Sequence, residues 1–82
     1  MSYMFEVYYM APRDFSHDAQ IATEVERFGG EITFTEEPDG SEFSCQSVVL
    51  TCEFADLAVA ERAADAIRNR GEHVEGPMDY GD

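Results

Sequence analysis

The spacing of apolar residues switches between two periods along this chain, and the order of the switches restricts the fold more than any single motif does. Residues 2–10, "SYMFEVYYM", are rich in aromatic and β-favouring side chains and read as a strand. From Ser16 the spacing turns helical: Ile21, Ala22, Val25 and Phe28 recur three and four residues apart, and Gly29-Gly30 supplies a stop. "EITFTEE" alternates again and places Ile32 and Phe34 on one face. Pro38-Asp39-Gly40 suits a chain reversal in an acidic connection, and "QSVVLTCEF" then reads as the second half of a hairpin. Asp56 is placed to cap a second helix with Leu57, Ala60, Ala64 and Ile67 as its inner stripe. Gly71 ends that helix, "EHVEG" is a short last strand limited by Pro77, and "MDYGD" is a loose tail.

The resulting order is β-α-β-β-α-β. Right-handed crossovers and a hairpin between the middle strands then lead to a ferredoxin-like α+β domain over residues 1–82. This arrangement implies a four-stranded antiparallel sheet of order 4-1-3-2 with two helices on one face.

Charge narrows the choice of partner. The chain carries 18 acidic residues against five basic ones, a net charge of -13, and every basic residue is an arginine. Nucleic acid and anionic membrane surfaces are therefore excluded as partners, because each needs a basic footprint. Leu, Ile, Val and Phe make up only about a fifth of the chain, close to the disorder boundary at this charge. Their periodicity, supplemented by four Tyr and four Met, points to a folded core. No apolar run approaches the ~20 residues of a membrane span. The N-terminal stretch lacks the basic flank and cleavage site of a leader, so the two cysteines point to the reducing cytoplasm.

Those cysteines, Cys45 and Cys52, flank the stretch "QSVVLT". Along a strand their separation amounts to about 23 Å, at ~3.3 Å per residue. A disulfide needs Cα atoms roughly 5.5 Å apart. Both thiols are expected to be reduced, with Cys52 inward beside Val48, Leu50 and Phe54. Zinc is not expected either, since the spacing is not C-x₂₋₄-C and His17 and His73 lie far away in sequence. No phosphate loop, G-x-S-x-G nucleophile or calcium ladder is present, so no metal, cofactor or catalytic residue is assigned. Glu36, Glu37, Asp39 and Glu42 read as a solvated hairpin tip.

The face of the sheet turned away from the helices is more informative. With Phe5, Val7 and Tyr9 inward, Met4, Glu6, Tyr8 and Met10 point outward on the first strand. Val49, Thr51 and Glu53 join them from the third strand, and His73 and Glu75 from the fourth. Glu6, Glu53 and Glu75 then fall on neighbouring strands, and like charges that close destabilise a sheet. Exposed Met4, Tyr8 and Met10 are unusual on a face meant only for water. Four readings are open: a half-wet sheet whose acids serve only solubility or salt tolerance, a homodimer contact, a docking surface for a basic protein, or a small-molecule site with a glutamate as general base and His73 as acid. Lacking a visible nucleophile, the chain reads as a non-catalytic interaction or regulatory module. The alternative is a ligand-binding domain or enzyme that uses this face as a dimeric α/β barrel.

The segments "FEVYYM", "FGGEITF", "PDG" and "GEHVEG" resemble those of the regulator of ribonuclease activity B family. The closing G-E-Y-D-G-W motif of that family corresponds here to "GEHVEGP", with an extra residue and no tryptophan. The resemblance implies a ferredoxin-like fold and an acidic inhibitor that docks on a basic enzyme surface.

Overall fold

The computed structural model describes residues 2–38 and 46–79. Six elements follow one another: β1 (Tyr3–Met10), α1 (Phe15–Arg27), β2 (Glu31–Glu36), β3 (Ser47–Phe54), α2 (Leu57–Arg68) and β4 (His73–Asp79). The strands form one sheet, β2-β3-β1-β4, with every neighbouring pair antiparallel. This α+β arrangement has the strand order expected from the alternation of periods. Cys45, Asp39, Gly40 and Glu42 lie outside the described residues, as does the chain beyond Asp79.

Local chemistry explains the helix boundaries. Asp14 caps α1, its side chain accepting from the amides of Ser16 and His17, and Asp56 caps α2 by accepting from Val59. Each cap satisfies amides that the first helical turn leaves without partners. Ile21 and Val25 of α1 and Ala60, Ala63, Ala64 and Ile67 of α2 are buried in one cluster with Phe5, Val7, Leu50, Cys52, Phe54 and Val74. Alanines on α2 let that helix approach closely, while the bulk comes from the strands. Phe5 and Phe54 stack with ring centroids 5.4 Å apart. Gly30 sits against that pair: a Cβ there would collide with the Phe54 ring.

Three details depart from the sequence reading. Leu57 is 41% exposed in the first turn of α2, and Ala63 takes its place in the inner stripe. β4 does not stop at Pro77 but continues to Asp79. It is an edge strand, where a proline costs no ladder bond on its outer side. Arg68 of α2 donates to the carbonyls of Val74 and Gly76 at 3.3 and 2.7 Å, tying this edge to the helix. Finally, Ile32 and Phe34 do not share a face. The β2–β3 register shifts between them, so that Ile32 lies opposite Cys52 but Phe34 lies opposite Thr51. A bulge inserts one residue on one strand and reverses the facing of everything beyond it. Ile32 packs against the core, whereas Phe34 is turned outward and is 60% exposed.

Candidate functional site

Strand pairing fixes how the outward side chains meet. Across β1 and β4, Glu6 lies opposite Glu75 and Tyr8 opposite His73. Across β1 and β3, Met4 lies opposite Glu53, Glu6 opposite Thr51, Tyr8 opposite Val49 and Met10 opposite Ser47. The eight candidate residues Glu6, Tyr8, Met10, Val49, Thr51, Glu53, His73 and Glu75 are thus all on strands of this sheet, but only some of them act together.

Four form a linked group. The Tyr8 hydroxyl donates to Glu6 Oε1 at 2.9 Å, and His73 Nε2 lies 3.1 Å from Glu75 Oε2. The Tyr8 and His73 rings meet edge to face with centroids 5.5 Å apart. The phenol and the imidazole form the cross-strand pair next to the two facing carboxylates, and each bonds the carboxylate of its own strand.

Glu53 is placed differently. It stands two pairs away from Glu6 along the ladder, and its opposite number on β2 is Glu31. The crowding expected among Glu6, Glu53 and Glu75 is therefore divided into two separate pairs, Glu6–Glu75 and Glu31–Glu53.

Hydrophobic exposure on this face is uneven. Val49 is buried, Met4 and Tyr8 are half-buried, and Met10 is 74% exposed. Phe34 joins the face from β2, with Glu36 opposite Val49. Sequence alternation hid Phe34, because nothing in "EITFTE" marks where the extra residue is inserted.

At the end of β1 the surface opens into a groove of about 600 Å³ where the strand passes into α1. Arg13 lies here with its guanidinium 4.5 Å from the centre of the Phe15 ring. It pairs with Asp18 at 2.7 Å and Glu37 at 3.1 Å, and these bonds raise its pKa further. Tyr9 stacks on His17 with centroids 4.5 Å apart and donates to Asp18 Oδ1 at 2.6 Å. Burial, then the bond to Asp18, pushes the Tyr9 phenol above its ordinary pKa. His17 Nε2 in turn reaches Glu72 at 2.9 Å. Phe15, in the first turn of α1, is 71% exposed, although it stands two turns before Ala22 of the inner stripe, so the helical spacing alone does not place it outside the core.

Cys52 is a free, buried thiol, and desolvation pushes its pKa from 9.0 up to about 12. It is a packing residue rather than a nucleophile. Among the described residues, no group of three His, Cys, Asp or Glu side chains is placed to hold a metal ion, and no helix is long and apolar enough to cross a membrane. Among known proteins, no family model matches the chain and no curated sequence does.

Proposed function

We propose that this is a ferredoxin-like domain, with both helices on one face of the sheet, that acts as a non-catalytic interaction module and docks a basic protein on the other face. The observation that carries the reading is the β2 bulge, which turns Phe34 outward onto a face that also bears Met10, Tyr8, Glu6, Glu53 and Glu75. Bare aromatic and thioether side chains among carboxylates match the pattern of an apolar anchor with a charged surround. Electrostatic complementarity selects a basic partner. It also argues against a second copy of the chain, since both copies would bring a net charge of -13 and the same carboxylates. The single core cluster supports the helix placement. The resemblance to the regulator of ribonuclease activity B family supports an inhibitor of a basic enzyme surface, and the free thiol of Cys52 suits a reducing cytoplasm.

Affinity capture from the source cells, followed by hydrogen-exchange footprinting of the complex, tests this reading. The captured protein should be basic, be released by salt, protect β1 and β3, and be lost with Phe34→Ser. A dimer mass in gel filtration with protection of the same strands would overturn it in favour of the dimeric barrel. A footprint confined to the helices would overturn both.

A further inference from the structure

In the groove at the end of β1, each polar side chain of the lining already has a partner within the chain. Arg13 is held by Asp18 and Glu37, and Asp14 accepts from the amides of Ser16 and His17. The Tyr9 hydroxyl donates to Asp18 and accepts from the Asp14 amide at 2.9 Å, and His17 is paired with Glu72. Beside these paired polar groups the groove leaves two large apolar side chains uncovered, Met10 at 74% and Phe15 at 71% exposure. The charges that hold it together are four carboxylates, Asp14, Asp18, Glu37 and Glu72, against one guanidinium. A phosphate or carboxylate ligand would find Arg13 occupied and the surroundings repulsive.

We propose that this groove receives an apolar side chain, aliphatic or aromatic, presented by a basic segment of a partner protein. The inference rests on the protein-binding reading above and extends it, since Met10 belongs both to the outward row of β1 and to the groove. The volume of about 600 Å³ falls within the range of ligand clefts. Its fixed lining suits an anchor, because ordering the Arg13–Phe15 and Tyr9–His17 pairs has already occurred in the free protein. Basic residues flanking the anchor would meet the carboxylates around the groove.

A defined probe tests the groove without knowledge of the partner. The peptide acetyl-Arg-Ser-Trp-Leu-Ser-Arg-amide would be titrated into the isotopically labelled full chain and followed by NMR. Resonances of the Met10 methyl and the Phe15 ring should move, and Phe15→Ser should weaken binding roughly tenfold or more, as for a centrally buried anchor. Versions with Glu for Arg, or with Ser for Trp and Leu, should cause no shift. Met10→Ser provides a second variant at an exposed position. If the basic peptide instead shifts Phe34 and Val49 and Phe15→Ser has no effect, the groove is not the anchor site, while docking on the sheet still stands. If no resonance moves at millimolar peptide, the groove proposal fails, and the capture experiment judges the sheet separately.

Discussion

Along β3, the inward side chains Val48, Leu50, Cys52 and Phe54 are at most 3% exposed, while their outward neighbours Ser47, Thr51 and Glu53 remain half-buried. The inner face is closed by packing, and no polar residue is buried in it among the described residues. The outer face is held instead by pairwise contacts, Tyr8 with Glu6 and His73 with Glu75, with Phe34 and Met10 uncovered. Contacts on the inner side all belong to the chain itself and should set its stability. Those on the outer side are incomplete and should set what it binds. Substitutions on the two faces ought therefore to separate stability from binding.

The largest effect belongs to the inner face. Phe5→Ala removes a fully buried ring stacked on Phe54 and should cost about 3–5 kcal/mol, a large share of the stability of a chain this small. Thr51→Ala, on the other side of the sheet, should stay within about 0.5 kcal/mol. Urea midpoints at unchanged slope give both numbers. Comparable losses would mean that the outer face is also part of the packed core. A step smaller comes Gly30→Ala, whose new methyl must displace the Phe54 ring. Overpacking of this kind should cost about 1–3 kcal/mol, and Phe54→Leu in the same background should recover part of it by making room.

These inner positions were legible in the sequence for a physical reason. A face that excludes water needs apolar residues at a fixed period, so "SVVLTCEF" alone assigns Val48, Leu50, Cys52 and Phe54 to it. The caps Asp14 and Asp56 obey equally local chemistry, although the spacing of apolar residues marks only Asp56. The outer face has no such discipline. The alternation that placed Glu6, Tyr8, Glu53, His73 and Glu75 outward says nothing about which of them are opposite one another, because register is a property of two strands. The β2 bulge is a further step removed: it moved Phe34 from the expected inner row to the outer one and left Ile32 behind. The β1–α1 groove depends on bonds between residues far apart in sequence, such as Arg13 to Glu37 and His17 to Glu72, which no local pattern announces.

Cys52 allows the comparison to be sharpened by pH. Its folded-state pKa of about 12 lies above the 9.0 of an exposed thiol because burial disfavours the thiolate. The contribution of the neutral thiol is fully present below pH 9.0 and is lost as pH rises toward the folded value, since the unfolded chain ionises first. In this range the stability of the wild type should fall more steeply than that of Cys52→Ala, by up to about 1.4 kcal/mol per pH unit. Tyrosine titration is common to both proteins and cancels in the difference. Parallel pH curves would show that the thiol is hydrated and that the inner face is less tightly closed than its burial indicates. Thiol labelling of native Cys52 should accordingly proceed only at the rate of unfolding.

The smallest effect lies on the outer face and bears most directly on function. Glu53 stands opposite Glu31, and Glu6 opposite Glu75. Like charges in direct cross-strand contact oppose folding, so Glu53→Gln should stabilise the free protein by about 0.5–1 kcal/mol at neutral pH. The gain for Glu6→Gln should be smaller, because Tyr8 already donates to that carboxylate and a donor lowers the cost of keeping a charge there. Salt supplies an independent check: added electrolyte should raise the wild-type melting temperature between low and moderate ionic strength and shrink the advantage of both variants. Denaturant midpoints at two salt concentrations are sufficient. If both Gln variants match or fall below the wild type, the carboxylates do not repel each other, and nothing about their placement calls for a partner. If the variants are more stable yet bind the captured protein more weakly, the repulsion is retained at a cost to folding because a basic surface relieves it. That opposite movement of stability and affinity should be absent for Thr51→Ala, which adds and removes no charge on the same face.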